Sequence, residues 1–314
     1  MVEVPQHLKG RSFTRINDWS HGDLRGLLDL ADELKALQAK REPHALLPGR
    51  SIGLVFELPS TRTRASFAAG AGQLGADAIE LDPSRTHLAR GESLADTALS
   101  LSRYLGALVC RVRRQDDVDE LAATGALPIL NGMTATTNPC QTLADLMTIR
   151  ERAGRLSGVR IAYVGDGNNV CRSLMRGAAK FGMRFVGATP SAYTPAQEAI
   201  DQTRKAAIQQ GGTVEFTEDP RRAVEHAEVV YTSEWVGLGR EDGGEERAAA
   251  LADYRIDDAL LELADSEAFV MHSLPAHAGD EIGAEILNGE RSAVWDQVEN
   301  RLHVHKALLA LVVR

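Results

Sequence analysis

Apolar residues in the first half of the chain alternate between helix-like and strand-like spacing. Leu24, Leu27, Leu28 and Leu34 recur every three or four residues, as on one face of a helix. Residues 51–56 instead form a continuous apolar run, which indicates a buried strand. The pattern predicts strands over 51–56, 77–81, 107–112 and 127–130, and helices over 16–40, 62–74, 92–105 and 139–152.

The same alternation starts again after a break near residues 150–158. The second half predicts strands over 161–167, 184–188, 214–216, 228–232 and 269–275, and helices over 168–181, 195–209 and 293–313. Residues 239–247 are polar and glycine-rich, which predicts a mobile loop. Alternation of this kind is typical of parallel sheets covered by helices on both faces. We therefore predict an α/β protein with two doubly wound parallel-sheet domains, residues 1–150 and 151–292.

Composition and charge narrow the class of function. A chain of 314 residues is long enough for two domains, and its 44% hydrophobic and 25% charged residues are typical of a soluble globular protein. The formal charge of −9 argues against a general nucleic-acid binder, although a local arginine cluster can still bind an anion. Three cysteines without paired spacing predict neither a disulfide framework nor a zinc site, and they favour the cytoplasm. No segment resembles a signal peptide or a membrane span.

The strongest chemical motif is the pentad Ser60-Thr61-Arg62-Thr63-Arg64, which stands where strand 51–56 gives way to a helix. Backbone N–H groups at a helix N-terminus carry partial positive charge and suit phosphate. Hydroxyls add donors, and a guanidinium can bind two phosphate oxygens at once. Ser-Thr alone would favour an ordinary N-cap beside solvent-exposed arginines. The whole pentad after an apolar strand indicates a phosphate site.

A glycine turn, Gly165-Asp166-Gly167-Asn168-Asn169-Val170, follows the first strand of the second half. Gly-Asp-Gly after a strand also occurs in dinucleotide-binding loops, but that fingerprint requires a third glycine where Val170 stands. The signal for a dinucleotide is therefore weak. From the residues alone, an Asn-Asn pair that merely forms the turn is the alternative to a binding role.

The pentad followed by Ser66-Phe67 resembles the carbamoyl-phosphate motif of the aspartate and ornithine carbamoyltransferases. Further resemblances follow in the family's order over nearly the whole chain, at 91–104, Asn138-Pro139-Cys140-Gln141, 165–170, His272-Ser273-Leu274-Pro275 and Glu299-Asn300-Arg301. The turn and the last segment favour the ornithine branch. The resemblance implies that the last helix, 293–314, packs back on the first domain. It also implies a homotrimer with shared active sites, and carbamoyl transfer to an amino-acid amine without a metal or an organic cofactor.

By position, the resemblance also implies which residues bind carbamoyl phosphate. The phosphate would be bound by Ser60, Thr61, Arg62 and Thr63. Arg111 would hold the phosphate or the carbonyl oxygen, which Arg301 would also reach from the last helix. Gln141 would accept a hydrogen bond from the carbamoyl NH2 group, and the backbone of Leu274 would contact the same nitrogen. His87 lies in a loop that crosses into a neighbouring subunit in the family.

Two departures from the family concern the reacting carbonyl and the attacking amine. The family's histidine before Pro-Cys-Gln is Asn138 here, which can donate from its NH2 group but carries no titratable proton. The family's cysteine before Leu-Pro is Ser273, whose hydroxyl can bond an amine but is not a ready thiolate. The implied catalytic residues are Arg62, Arg111, Asn138, Ser273 and Arg301.

The resemblance implies that Asn169 and the segment 232–239 bind the acceptor. Two further departures from the family lie in that segment. The family's aspartate, which binds the α-ammonium of ornithine, is Ser233, and its Ser-Met-Gly is Gly237-Leu238-Gly239. Glu234 is displaced by one residue, and on a strand that shift points to the opposite face. Compensation by Glu234 would therefore require a rearranged loop, so we expect weakened binding of ornithine.

Three hypotheses follow from these residues. The first is a carbamoyltransferase that converts ornithine or a related amino acid to citrulline or a ureido analogue, with phosphate as the second product. The second is a carbamoyltransferase for another amine, such as an N-acylornithine, a shorter diamino acid or a diamine. The third is a non-catalytic paralogue, which Asn138, Ser233 and Ser273 favour and the intact pentad opposes.

Overall fold

The computed structural model describes residues 4–237 and 243–314, and the chain divides into two compact units. Unit 1 consists of Met1–Ala144 with Glu299–Arg314, and unit 2 consists of Asp145–Val298. Each unit holds one parallel sheet, so the predicted fold class is confirmed. Within the described ranges, no helix is both long enough and apolar enough to cross a membrane.

The described residues contain nine strands and twelve α-helices. The strands are β1 Ser51–Phe56, β2 Asp77–Leu81, β3 Ala107–Arg111, β4 Ile129–Met133, β5 Arg160–Val164, β6 Arg184–Ala188, β7 Thr213–Thr217, β8 Val229–Thr232 and β9 Phe269–His272. The helices are α1 His21–Ala39, α2 Thr61–Gln73, α3 Leu94–Leu101, α4 Gln115–Ala123, α5 Pro139–Ala153, α6 Asn169–Lys180, α7 Gln197–Gln209, α8 Pro220–Val224, α9 Gly244–Leu251, α10 Asp258–Leu261, α11 Ala284–Leu287 and α12 Val294–Val312.

The strand order of each sheet contains one point at which the chain changes direction. Unit 1 has the order β2-β1-β3-β4, and unit 2 has the order β7-β6-β5-β8-β9. In unit 1 the chain runs from β1 to β2 on one side and then continues with β3 on the other side of β1. In unit 2 it runs from β5 to β6 and β7 on one side and continues with β8 on the other side of β5. Open α/β sheets bind ligands at the carboxyl ends of strands beside such a switch point. The switch points are the places to look for binding residues.

The sequence prediction missed the short helices α8, α10 and α11, and it was also wrong about two longer segments. It left residues 115–123 without an element, but they form α4, whose short buried face offers little helical periodicity beyond Val118 and Leu121. It also assigned 239–247 to a mobile loop, whereas α9 begins at Gly244. Glu245 and Glu246 stand in the first turn of α9, where carboxylates stabilise a helix through its dipole. The rest of the predicted loop, 239–242, lies outside the described residues.

The C-terminal part of α12 belongs to unit 1, as the resemblance implies. Its residues from Val304 to Val313 are almost completely buried, and Lys9 Nζ donates to the carbonyl oxygens of Ala310 (2.8 Å) and Val313 (2.6 Å). Lys306 is also buried, and its Nζ donates to Gln38 Oε1 at 2.8 Å. Burial lowers the pKa of Lys306 to about 8.

Buried His303 on α12 makes folding stability dependent on pH. Burial, together with the nearby positive charges of Lys306 and Lys35, lowers the pKa of His303 to about 3. An unfolded histidine has a pKa of about 6.5. The unfolded chain therefore binds the extra proton between these values, so this stability is complete above pH 6.5 and falls as the pH drops towards 3.

The free energy of unfolding, measured by urea denaturation, should fall by roughly 2 kcal/mol between pH 7 and pH 5 because His303 is protonated only in the unfolded chain. His303→Gln should abolish that part of the pH dependence. The matched control is His226→Gln, because the His226 side chain is exposed and should leave the full drop in place. An equal slope in wild type and His303→Gln would contradict the assignment.

Candidate active site

The pentad lies at the switch point of unit 1, directly after β1. Ser60 is the N-cap of α2, and its side chain accepts a hydrogen bond from the Thr63 N–H at 3.1 Å. The cap satisfies one first-turn N–H and leaves those before it directed beyond the helix end. Thr61 is exposed, Arg62 is half-buried and Thr63 is fully buried. This turn therefore offers backbone and side-chain donors together, as a phosphate site requires.

Two buried arginines from distant parts of the chain reach the same end of unit 1. Arg301 of α12 donates to the Thr63 hydroxyl, so the last helix contacts the first turn of α2. Arg111 is the last residue of β3, and its Nε donates to the Pro59 carbonyl oxygen at 3.2 Å. The Arg111 carbonyl oxygen accepts from the N–H of Glu57 at 2.9 Å. The loop before α2 is thus fixed against β3, and two guanidinium groups flank the pentad.

Arg64 differs from the other residues of the pentad. Its Nε lies 3.6 Å from Glu80 Oε1, and its guanidinium stacks over the Phe56 ring at 5.3 Å. It is also exposed. Arg64 therefore packs against Phe56 and Glu80, whereas Thr63 contacts Arg301.

A buried polar network fixes the turn that precedes α5. Asn131 Nδ2 donates to the Thr137 hydroxyl at 2.9 Å, and that hydroxyl donates to Gln115 Oε1 at 2.6 Å. Asn138 follows directly, is buried, and accepts from the Thr142 N–H at 3.3 Å through its carbonyl oxygen. The network holds the backbone at Asn138, and Gln141 is buried one turn further along α5.

Cys140, between these residues, is a packing residue. It is buried, and burial raises the pKa of its thiol to about 12. Nucleophilic cysteines require a lowered pKa and access to solvent. Cys140 is therefore not a candidate nucleophile, and Asn138 and Gln141 stay the predicted binding residues of this turn.

His305 of α12 was missed by the sequence analysis. Its ring stacks on Phe67 with centroids 3.8 Å apart, and its Nδ1 lies 2.9 Å from Ser66 Oγ. The Ser66 hydroxyl donates to the Arg62 carbonyl oxygen at 2.6 Å, so Nδ1 carries the proton in the contact with Ser66. Burial lowers the pKa of His305 well below its ordinary value, as does the charge of Arg301, so the ring stays neutral. A single histidine in a helix belongs to no sequence motif. Only the folded structure shows that His305 supports Ser66 and Phe67 of α2.

A cleft of about 990 Å³ in unit 1 borders the first turn of α2. Its lining includes Ser60, Thr61 and Arg64 of the pentad together with Asp82 and Arg85. His87 lies shortly afterwards, exposed, in a single 3-10 turn that ends at Gly91 with a φ of +87°. The predicted role of His87 requires a second subunit and stays a prediction.

The switch point of unit 2 is organised by the glycine turn after β5. Asn168 caps α6, since its Oδ1 accepts from the N–H groups of Val170 (2.9 Å) and Cys171 (3.2 Å). Asp166 is buried, and its Oδ2 accepts from Arg247 Nη1 of α9 at 2.9 Å. The Arg247 guanidinium also lies 4.4 Å from the Tyr193 ring centroid. The charge of Asp166 is thus neutralised within the unit.

Ser233, the first residue after β8, belongs to a neutral hydrogen-bond network. Its hydroxyl lies 2.7 Å from the Tyr163 hydroxyl and accepts from Asn168 Nδ2 at 2.9 Å. Ser233 is 1% exposed, so it presents almost no surface to a ligand. Of the two asparagines in the turn, Asn168 caps α6 and bonds Ser233. Asn169 is half-buried and is the first residue of α6.

The strand-alternation argument about Glu234 does not apply in the structure. β8 ends at Thr232, so Ser233 and Glu234 already belong to the following loop, where the two-residue period no longer decides direction. Gly237 is half-buried in the same loop. Leu238, the last predicted acceptor residue, lies outside the described residues.

The segment after β9 is held by a buried histidine and glutamate. The Leu274 N–H donates to His272 Nδ1 at 2.8 Å, so the proton sits on Nε2, which lies 3.0 Å from Glu281 Oε1. Burial alone would raise the pKa of Glu281, but the hydrogen bonds from His272 and the His277 N–H lower it below its usual range. Glu281 therefore stays ionised and, through His272, fixes the backbone at buried Ser273 and at Leu274.

Both halves of the chain match known sequence families. Residues 11–151 match the family described as aspartate/ornithine carbamoyltransferase, carbamoyl-P binding domain. Residues 157–312 match the family described as aspartate/ornithine carbamoyltransferase, Asp/Orn binding domain.

Similar whole proteins carry related names. The chain is 43% identical over 308 residues to the ornithine carbamoyltransferase of Oceanobacillus iheyensis, covering 98% of this chain and 96% of that protein. It is 46% identical over 309 residues to the ornithine carbamoyltransferase of Symbiobacterium thermophilum, covering 98% and 99%. Among solved structures, the ornithine carbamoyltransferase from Pyrococcus furiosus is 40% identical, with a TM-score of 0.94 and 99% of each chain covered. The aspartate transcarbamoylase from Trypanosoma cruzi is 28% identical, with a TM-score of 0.90 and 100% of each chain covered.

Proposed function

The chain belongs to the aspartate/ornithine carbamoyltransferase family, and from that premise we propose that it transfers the carbamoyl group of carbamoyl phosphate to the side-chain amine of ornithine. The products are citrulline and phosphate. One observation carries the proposal most directly: Arg301 crosses from the last helix to Thr63 in the pentad. A cation fixed at the first turn of α2 beside hydroxyl and backbone donors is arranged for a phosphorylated donor.

Carbamoyl phosphate is held by the residues of unit 1. The N–H groups and hydroxyls of Ser60–Thr63 and the Arg62 guanidinium bind the phosphate. Arg111 and Arg301 hold the carbonyl oxygen, and Gln141 accepts from the carbamoyl NH2 group. The cations are preorganised, because Arg111 is already fixed to Pro59 and Arg301 to Thr63.

The neutral amine of the acceptor then attacks the carbonyl carbon. A C–N bond forms, the oxyanion develops, and the C–O bond to phosphate breaks as the amine loses a proton to the departing phosphate. Arg111, Arg301 and the NH2 group of Asn138 stabilise the oxyanion in the low-polarity interior. Asn138 has no titratable proton, so it can donate a hydrogen bond to the oxyanion but cannot act as a general acid. We assign orientation of the amine to Ser273 and contacts with the acceptor to Asn169, Gly237 and Leu238.

A different amine is the second candidate for the acceptor. The observation that favours it is Ser233, whose hydroxyl is already engaged by Tyr163 and Asn168 and carries no charge for an α-ammonium. An N-acylornithine or an amine without that ammonium would lose little at such a position.

A comparison of amines tests the proposed function. Carbamoyl phosphate should be offered with ornithine, N-acetylornithine, 2,4-diaminobutyrate and putrescine, and phosphate release and the ureido product should be measured together. The proposed function predicts the highest kcat/KM for ornithine. A higher value for N-acetylornithine or putrescine would support the second candidate. Binding of carbamoyl phosphate with no turnover of any amine would indicate a non-catalytic paralogue.

We also propose that the enzyme is a homotrimer with shared active sites and that it works in the cytoplasm. The cleft beside Ser60 and Thr61 is open in the single chain, and exposed His87 is available to a neighbour. The three described cysteines are free and buried, in keeping with a reducing compartment.

Mixed subunits test the shared site. His87→Ala and Arg301→Ala should each be nearly inactive alone, but a mixed trimer contains some sites built from two intact contributors. Random mixing should restore about a quarter of the sites, because one neighbouring pair in four is intact. Light scattering should give three times the mass of one chain, or a multiple. A single-chain mass, or no recovery on mixing, would contradict the proposal.

A further inference from the structure

Another cleft of unit 1 lies at the opposite end of its sheet from the pentad. Its volume is about 280 Å³, and its lining includes Ser51, Gly106 and Pro128. These residues stand where β1, β3 and β4 begin, whereas the pentad follows the end of β1. The six residues of β1 span roughly 20 Å, at about 3.3 Å per residue. The cleft is therefore separate from the site proposed for carbamoyl phosphate.

The charged side chains that line this cleft are all positive. Arg50, Arg103 and Arg314 contribute to the lining, and among the described residues no aspartate or glutamate does. All three arginines are exposed, and none of them forms an ion pair within the described part of the chain. Like charges that share a cleft repel one another unless an anion binds between them. The cleft therefore offers positive charge to a ligand, in a chain whose formal net charge is −9.

The guanidinium of Arg314 has a defined place beside the cleft. It lies against Gly10, which also lines the cleft: a Cβ atom added at Gly10 would lie 2.8 Å from Arg314 Cζ. Gly10 has a φ of +83°, in the left-handed region that favours glycine. Its N–H donates to the Val312 carbonyl oxygen at 2.8 Å, which fixes this backbone to the end of α12. Glycine thus allows both the conformation and the close approach of the guanidinium.

Lys9 adds a fourth positive charge next to these arginines. Burial and the charge of Arg50 lower the pKa of Lys9, so the two cations are close enough to interact. Lys9 Nζ donates to carbonyl oxygens in the last turn of α12, and Arg103 follows the end of α3. A helix C-terminus carries only about half a negative charge. These partial charges do not neutralise four full cations.

We propose that this cleft is a second anion-binding site, for a small molecule with two adjacent phosphate groups, such as diphosphate or the phosphate end of a nucleotide. A guanidinium binds two phosphate oxygens at once, and several around one cleft favour a ligand with several negative charges. A volume of about 280 Å³ holds two phosphate groups but not also a ribose and a base. The diphosphate group is therefore the part that is recognised, and a nucleoside would extend into solvent.

Calorimetry with sodium diphosphate on the full-length chain tests this site, and its outcome does not depend on the proposed function. The titration uses the Arg62→Ala background, in which anion binding at the pentad is weakened. Diphosphate should still bind, and adding Arg50→Gln with Arg103→Gln should weaken that binding at least tenfold, or about 1.4 kcal/mol. The matched control is Arg25→Gln with Arg221→Gln, which removes two exposed arginines outside both clefts and should change the affinity less than twofold.

ADP in place of diphosphate identifies the source of the phosphate groups. Affinities within threefold of each other would mean that free diphosphate is sufficient. Tighter binding of ADP would mean that the nucleoside adds contacts, and both results support the site. Binding of neither ligand would overturn the proposal, as would an unchanged affinity after Arg50→Gln with Arg103→Gln. Equal losses in the cleft variant and its control would show a general effect of net charge, which also overturns it.

Discussion

Replacement of Arg301 by methionine should lower kcat/KM for carbamoyl transfer by a factor of roughly 10²–10³, the usual loss when one preorganised oxyanion donor is removed. The side chain is 6% exposed and donates to the Thr63 hydroxyl, so its charge is already oriented before the substrate arrives. Methionine preserves the length and much of the volume of the side chain. The loss should appear mainly in kcat, since the oxyanion exists only in the transition state.

Arg301→Lys separates charge from geometry. A lysine restores the positive charge but not the planar fork, so kcat/KM should recover only in part. Circular dichroism should give superimposable spectra for wild type and both variants. A methionine variant that keeps more than a third of wild-type kcat/KM would show that Arg301 only supports α2.

Arg62→Ala should weaken the binding of carbamoyl phosphate at least tenfold, or about 1.4 kcal/mol, as measured by calorimetry. Arg62 is half-buried in the first turn of α2, so we expect its guanidinium and the helix N-terminus to act on one anion. Inorganic phosphate should show a loss of similar size, because the lost contacts are to the phosphate group.

Arg64→Ala is the matched control for that experiment. Arg64 lies two residues further along the same helix, but it is exposed, packs on Phe56 and lies 3.6 Å from Glu80. Its loss should change the affinity less than threefold, because an exposed charge beside a carboxylate contributes little. Equal losses in the two variants would show a general effect of charge and no specific site at Arg62.

Sequence patterning was sufficient for the sheets but insufficient for the polar helices. Strands such as 51–56 are buried on both faces and therefore appear as uninterrupted apolar runs. α1 begins at His21 and not at residue 16, because Ser20 and Asp23 form a capping box that fixes the helix start. Helix α4 buries a short face and gave no sufficient signal. Local apolar spacing therefore identifies elements that bury much surface and misses those that bury little.

The pentad could be found from the sequence because its residues are adjacent. Arg301 was identified only through a family resemblance, since 238 positions separate it from Thr63 and no local pattern connects them. His305 and Glu281 were missed for the same reason: each acts through a contact made by folding, with Ser66 and His272 respectively. The predicted strand 228–232 and β8 both end at Thr232, so the alternation argument about Glu234 was applied to a residue beyond the strand.

Carbon-13 labelling provides the most direct test of carbamoyl transfer to ornithine. The enzyme should be incubated with ornithine and carbamoyl phosphate labelled at the carbonyl carbon, and the reaction followed by carbon-13 and phosphorus-31 NMR. The label should move to the ureido carbon of citrulline, with one phosphate released per citrulline formed. Label that appears only in the products of spontaneous carbamoyl phosphate breakdown, at the rate seen without enzyme, would contradict it.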